Sequence, residues 1–412
     1  MRLRSVLITL SVTASVLVLF VNPAGASVNA AGPRGDTVRP AARIIDDVLN
    51  GVSCTTQPDN PAITSACVAV GFFADAPNVA GLLEFSTNGK WFGNTFGSLQ
   101  GVTDPLAVSC VPQQADIPAC VAVGEHFRNP KFPAQLIATG SANGFSPVVF
   151  RNPKGATWSD LAEVSCVTTT FCMLVGSAGT TRKTAHGLRY LSHATAYRWT
   201  GSAHRLKVPA PAHARFTELA SVSCATETSC LAVGNYVNAR GRSRPYSALW
   251  TSGVWHVHAA KIVAGKTTTT FEGVSCAAPA SCVAVGEAVK PGRRAFAEQF
   301  SAGGWTMMRI PAVPKSALFS VSCPATTFCA AVGHRGTRPL AEVFSGSKWA
   351  TKAVPATSAP FTSGALFHVS CVTATICTAV GYRHNPNVRF SFRTLAVGWN
   401  GSAWKIQKTI NQ

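Results

Sequence analysis

Glu218-Leu219-Ala220-Ser221-Val222-Ser223-Cys224-Ala225-Thr226-Glu227-Thr228-Ser229-Cys230-Leu231-Ala232-Val233-Gly234 reads as a hairpin: two runs of small and β-branched residues meet at a short polar turn, one run closed by a cysteine and the next opened by another. The wording recurs along the whole chain. Val-Ser-Cys ends at Cys54, Cys110, Cys166, Cys224, Cys276, Cys323 and Cys371, and a second cysteine follows each time, at Cys67, Cys120, Cys172, Cys230, Cys282, Cys329 and Cys377. Four residues beyond every second cysteine stands a glycine, in six repeats as Ala-Val-Gly and in the third as Leu174-Val175-Gly176. The repeats recur about every 53 residues, a period in the range of propeller blades.

Working outward from that hairpin, each repeat holds two further strand signals. In repeat four the four strands are predicted at Glu218 to Cys224, Cys230 to Tyr236, Tyr246 to Trp250 and Trp255 to Ala260. Tight polar turns such as Thr251-Ser252-Gly253-Val254 and Asn400-Gly401-Ser402-Ala403 join the third to the fourth. Aromatics flank these turns at Trp250/Trp255, Phe300/Trp305, Phe344/Trp349 and Trp399/Trp404, where they suit the wide outer gap between blades, while Ala, Val and Gly suit the crowded strands near an axis. The expectation is an all-β, seven-bladed β-propeller with four-stranded antiparallel blades at 48–103, 104–160, 161–218, 219–270, 271–315, 316–364 and 365–412. Each repeat carries its own fourth strand, so no orphan strand is obvious for ring closure; residues 27–47 read as a linker that could add an edge strand to the last blade.

Fourteen cysteines in seven local pairs, five of them six residues apart, predict one disulfide per blade. Paired thiolate metal ligands are disfavoured, because no Cys-x-x-Cys spacing occurs. Met1-Arg2-Leu3-Arg4, an apolar run from Val6 to Val21 and Pro23-Ala24-Gly25-Ala26-Ser27 are the parts of a secretory signal peptide covering residues 1–26, the alternative being a retained anchor. A secreted monomer is expected, either free outside the cell or associated with the wall.

Val-Ser-Cys, Cys-x-Ala-Val-Gly and the Trp399-to-Trp404 turn resemble secreted repeat proteins of actinobacterial type. More distantly, Ser86-Thr87-Asn88-Gly89-Lys90-Trp91 is similar to a shortened Asp-box, the turn of the propellers that include sialidases and photosystem II assembly factors. The resemblance implies a fold and no activity, since that turn is structural even in enzymes.

No catalytic set emerges. A sialidase-like centre needs an arginine triad and a Tyr/Glu pair, and none of the five tyrosines has a recurring acid beside it. Glu125 and Glu287 each follow a Val-Gly and could share one mouth of the ring, but they lie three blades apart and read as solvated rim carboxylates paired with arginines. His256 and His258 share a strand face without a third ligand, so no metal is expected. No cofactor is implied.

Charge is the stronger signal. Lys and Arg number 36 against 17 Asp and Glu, a net charge of +19, and the connection after Val-Gly carries basic residues, mostly arginine, in repeats two to seven, while repeat one has Asp75 and no basic residue there. Arg182, Arg242, Arg244, Arg293, Arg294, Arg335, Arg338, Arg383 and Arg389 fall in these segments, which a propeller presents on one face. Planar guanidinium forks suit phosphate and carboxylate. The expected partner is an anionic wall polymer, acidic glycan or acidic protein. Nucleic acid is disfavoured because no stacking aromatics interleave with the arginines. Glycan hydrolysis and an inert scaffold are the alternatives.

Overall fold

The computed structural model describes residues 45–410 apart from 58–63, 76–77, 98, 114–117, 128–132, 185–186, 267, 290, 302–303 and 389–390. The expected signal peptide and residues 27–44 of the expected linker lie outside the described residues, while Ile45, Asp46 and Asp47, also expected in the linker, open the first strand of the first blade. Seven antiparallel sheets follow one another, at 45–95, 102–150, 158–206, 216–259, 268–308, 316–352 and 363–407. Six are simple meanders of four strands; in the third, the short strand Trp158–Ser159 precedes Glu163–Thr168 as a broken inner strand. Repeat four forms Phe216–Thr226, Ser229–Val237, Ser243–Thr251 and Val254–Ala259, so each predicted strand is present.

All seven cysteine pairs are disulfides, with Cα atoms 3.9 to 4.1 Å apart. They face each other across the inner hairpin: Cys224 stands opposite Cys230 and Cys276 opposite Cys282. Such short loops are each worth about 2 to 3 kcal/mol in the chain-entropy account, so the bridges staple hairpins without tying blades together.

Blades are joined by packing. Each of seven apolar clusters lies between two neighbouring blades, and one of them combines Leu49, Val52 and Trp91 of blade 1 with Val380 and Ala396 of blade 7. The ring therefore closes face to face, with every described blade built from its own consecutive strands. The turn-flanking aromatics fill the outer gaps as expected: Trp255, Trp305, Trp349 and Trp404 are all at most 6% exposed.

The serine of Val-Ser-Cys ties the blades together. Its Oγ accepts a hydrogen bond from the backbone N–H of the equivalent cysteine in the next blade: Cys110 to Ser53, Cys166 to Ser109, Cys224 to Ser165, Cys276 to Ser223, Cys323 to Ser275 and Cys371 to Ser322. The seventh, Cys54 to Ser370, closes the circle at the same 2.9 Å as most of the others. The inner strand of a blade has no backbone partner on its axial side, so its N–H groups need such acceptors. A side-chain acceptor two residues earlier does the same for Val274 (Ser221), Val369 (Ser320) and Val52 (His368 Nδ1).

Replacing Ser223 or Ser370 with Ala leaves a part-buried N–H unpaired and is expected to cost about 1 to 3 kcal/mol. Thermal unfolding, with Ser347→Ala on an exposed turn as the control, checks this; equal melting temperatures for all three would refute the tie.

Candidate functional site: the loop-side mouth of the ring

The inner strand of six blades carries a register shift at the same place, between Leu219 and Ser221 in blade 4 and between Phe271 and Gly273 in blade 5. Beside each bulge stands the glycine of Val-Gly. A Cβ at Gly234 would run into the Glu218 carbonyl oxygen, and at Gly286 into that of Thr270, so the bulge and the glycine form one close approach. Three sets of side chains therefore meet at the end of the axis that also bears the connections after Val-Gly. One set follows the glycine: Phe72, Glu125, Ser177, Asn235, Glu287, His334 and Tyr382. The bulge residues are the second, among them Asn50, Glu272, Phe319 and Phe367. Two positions before the bulge come Asp104 and Glu218, and Asp160 takes the matching place in blade 3, with its carbonyl against Gly176.

These positions gather six carboxyls over blades 2 to 5. Asp104 stands opposite Glu125 and accepts from Asn50 Nδ2 at 2.8 Å; burial lifts its pKa to about 7. Glu125 is pushed well above the usual carboxylate range by burial, then by the charges of Asp160 and Asp104. Burial likewise raises Asp160 to about 6, against hydrogen bonds from the Ser177 N–H and hydroxyl at 2.6 and 2.9 Å. Glu218 and Glu272 reach about 8, each through burial and a neighbouring glutamate. Glu287 is raised by burial and held back by Arg293, whose Nε lies 2.8 Å from its carboxylate.

Sequence reasoning expected Glu125 and Glu287 to be rim carboxylates paired with arginine. Glu287 fits. Glu125 does not: it is 6% exposed and lies beside other acids, because the strand register sets it opposite Asp104 and it is close enough to Asp160 to feel its charge. Asp104, Asp160, Glu218 and Glu272 were missed, since they sit at positions that the repeat motif does not fix; aligning the repeats on Val-Gly would have exposed the columns.

On blades 6 and 7 the same positions are aromatic. Phe319 stacks on His334 (5.4 Å) and lies 5.9 Å from Phe367, which lies 5.3 Å from Tyr382; Tyr382 in turn meets Phe392 at 5.2 Å. Beneath this mouth an axial cavity of about 140 Å³ is lined by the Val-Ser positions, Phe319, Glu163 and His368. Glu163 and His368 meet across it at 3.3 Å. Because His368 Nδ1 accepts from Val52, Nε2 is the nitrogen facing Glu163 with a proton.

The arginines whose side chains are described in this region lie on blades 4 to 7. Arg242, Arg293, Arg294, Arg335 and Arg338 are exposed on blades 4, 5 and 6, with Arg335 and Arg338 opposite each other in one hairpin. Arg244 is half-buried and donates to the Ser243 carbonyl. Arg383 is also half-buried, with its guanidinium 4.8 Å from the Phe361 ring centre and Arg393 opposite it. Arg182 lies in the strand Phe171–Thr184, opposite Arg189, and only its backbone is described; Arg389 lies outside the described residues. His256 is exposed, and His258 packs edge-on against Phe300 at 5.3 Å. Among the described residues no group of three His, Cys, Asp or Glu is placed to hold a metal ion.

The class this architecture defines is the seven-bladed, disulfide-stapled β-propeller. Among solved structures the chain is similar to a puromycin-hydrolysing peptidase from Mycobacterium tuberculosis (10% identity, TM-score 0.51, 87% of this chain and 52% of that one). It is also similar to YCF48 from Cyanidioschyzon merolae (12%, 0.48, 88% and 97%) and to Trypanosoma rangeli sialidase (9%, 0.46, 72% and 55%). At these identities the likeness concerns fold alone. No protein-family model and no curated protein matches the sequence.

The buried acids give an unusual pH dependence. Their folded pKa values exceed the ordinary 3.8 to 4.5, so from about pH 4.5 to 8 the native chain binds more protons than the unfolded chain, and stability falls as pH rises. The melting temperature is expected to be higher at pH 5 than at pH 8, and Glu218→Gln with Glu272→Gln should flatten the difference. A melting temperature that climbs from pH 5 to 8 would contradict the assignment.

Proposed function

We propose that the protein is a secreted, non-catalytic binding module that holds an anionic extracellular partner, such as a wall polymer, an acidic glycan or an acidic protein, on its loop face. The observation that carries this reading is the set of five exposed guanidiniums on the corresponding connections of three consecutive blades. Arg294, Arg335 and Arg338 have no carboxylate partner among the described residues, so their charge is available to a ligand. Seven disulfides with no free cysteine fit an oxidising compartment, and among the described residues no helix is long and apolar enough to cross a membrane.

A second reading, glycoside hydrolysis, draws on the crowded carboxyls. Burial and the charge of Asp160 push the Glu125 pKa well up, the direction that favours a general acid. Turnover of a chromogenic glycoside that is lost in Glu125→Gln would select it.

The binding reading is tested by salt elution from polyglutamate and sulfated-polysaccharide matrices. The wild type should be retained, and the combined change of Arg242, Arg294, Arg335 and Arg338 to Glu should abolish retention at physiological salt, since rim charges act over about 8 Å there. Unaltered elution of the variant would overturn the reading.

A further inference from the structure

We propose that the mouth of the ring is a separate binding site for a substituted ammonium group, received between the carboxylates of Glu218 and Glu272 and the aromatic faces of Phe319, Phe367 and Tyr382. Glu272 and Phe319 occupy the same bulge position in neighbouring blades, and the backbone beside Glu272, at Gly273, packs directly against that of Phe319 and Ser320. The acidic and aromatic arcs thus adjoin. Phe319, Phe367 and Tyr382 continue one another at 5.9 and 5.3 Å, and Phe319 also lines the axial cavity. A cation is the one ligand type that both walls favour: the rings attract it by their quadrupoles, and its charge stabilises the ionised form of Glu218 and Glu272, which release protons as it enters.

Two buried polar groups point the same way. Asn50, 4% exposed, donates its amide to Asp104 and to the Pro105 carbonyl and leaves Oδ1 without a partner at the mouth. The hydroxyl of Tyr246, 1% exposed, is unpartnered within electrostatic reach of Glu218. Neither Glu218 nor Glu272 has an ion-pair partner among the described residues, while Arg293 is engaged by Glu287. A neutral sugar would stack on the rings but gain nothing from ionisation of the two acids. An inorganic cation would gain nothing from the rings.

Titration calorimetry of the full chain tests this with choline, its neutral isostere 3,3-dimethylbutanol, and a peptide bearing trimethyl-lysine. Choline or the peptide should bind, with the isostere at least about tenfold weaker, and Glu272→Gln or Phe319→Leu should each weaken cation binding by about tenfold, the size of a desolvated cation contact. Tighter binding of choline identifies a free small amine as the source; tighter binding of the peptide identifies a modified side chain. No heat up to about 50 mM of either cation, equal binding of the isostere, or folded variants with unchanged affinity would each overturn the proposal. Melting temperatures confirm folding of both variants. Retention on polyanions is expected to be unchanged in them, and choline binding unchanged in the arginine-reversal variant, so the two sites stand or fall separately.

Discussion

The ring depends on a hydrogen bond repeated seven times, from a cysteine N–H to the serine Oγ of the preceding blade. A propeller's innermost strand has one edge paired within its blade and the other turned to the axis, where the backbone would otherwise lack partners. By placing a short hydroxyl side chain beside each cysteine, Val-Ser-Cys converts that edge into a continuous belt. The cysteine fixes its own strand by the disulfide, so the donor is held in register for the serine that needs it. Hairpin staple and blade-to-blade tie are thus consecutive residues, and this accounts for the constancy of the triplet along the chain.

Closure follows from the same geometry. Cys54 reaches Ser370 at the distance found at the other interfaces, and Val52 reaches His368. Trp91 adds a bond from Nε1 to Gln407 Oε1 at 3.1 Å, and the Phe392 N–H one to Asp46 Oδ1 at 2.8 Å. With seven bonded and packed interfaces, the first and last blades meet as ordinary neighbours, and strand exchange between them is unnecessary.

What was legible in the sequence is whatever the repeat enforces. The hairpins, disulfides and outer tryptophans recur at fixed offsets because every blade has the same inner and outer gap to fill. The mouth was legible only in part: the Val-Gly offset pointed to Glu125 and Glu287, but the residue there is Phe72 in one blade and Tyr382 in another, so no shared residue type flagged the remaining acids and rings. The bulge was hidden as well, because the residue it turns out, whether Glu272 or Phe319, reads as an ordinary member of an inner strand. The arginines were visible by charge alone, yet their fates differ: Arg383 lies over Phe361 and Arg293 is drawn to Glu287, while Arg294, Arg335 and Arg338 remain free to face solvent.

The electrostatic layout follows from two unequal freedoms. Loops after Val-Gly are solvated, so guanidiniums there cost little and accumulate. The positions beside Val-Gly and the bulge are more enclosed, and carboxyls placed there are kept partly protonated by burial, which lowers the repulsion among them. Acid and base are consequently arranged as inner mouth and outer rim, joined where Arg293 lies between Glu287 and His334, at 2.8 and 3.5 Å. Because proton uptake by the inner acids relieves their mutual repulsion, the mouth can remain densely acidic without opening the interfaces that the serine belt holds shut.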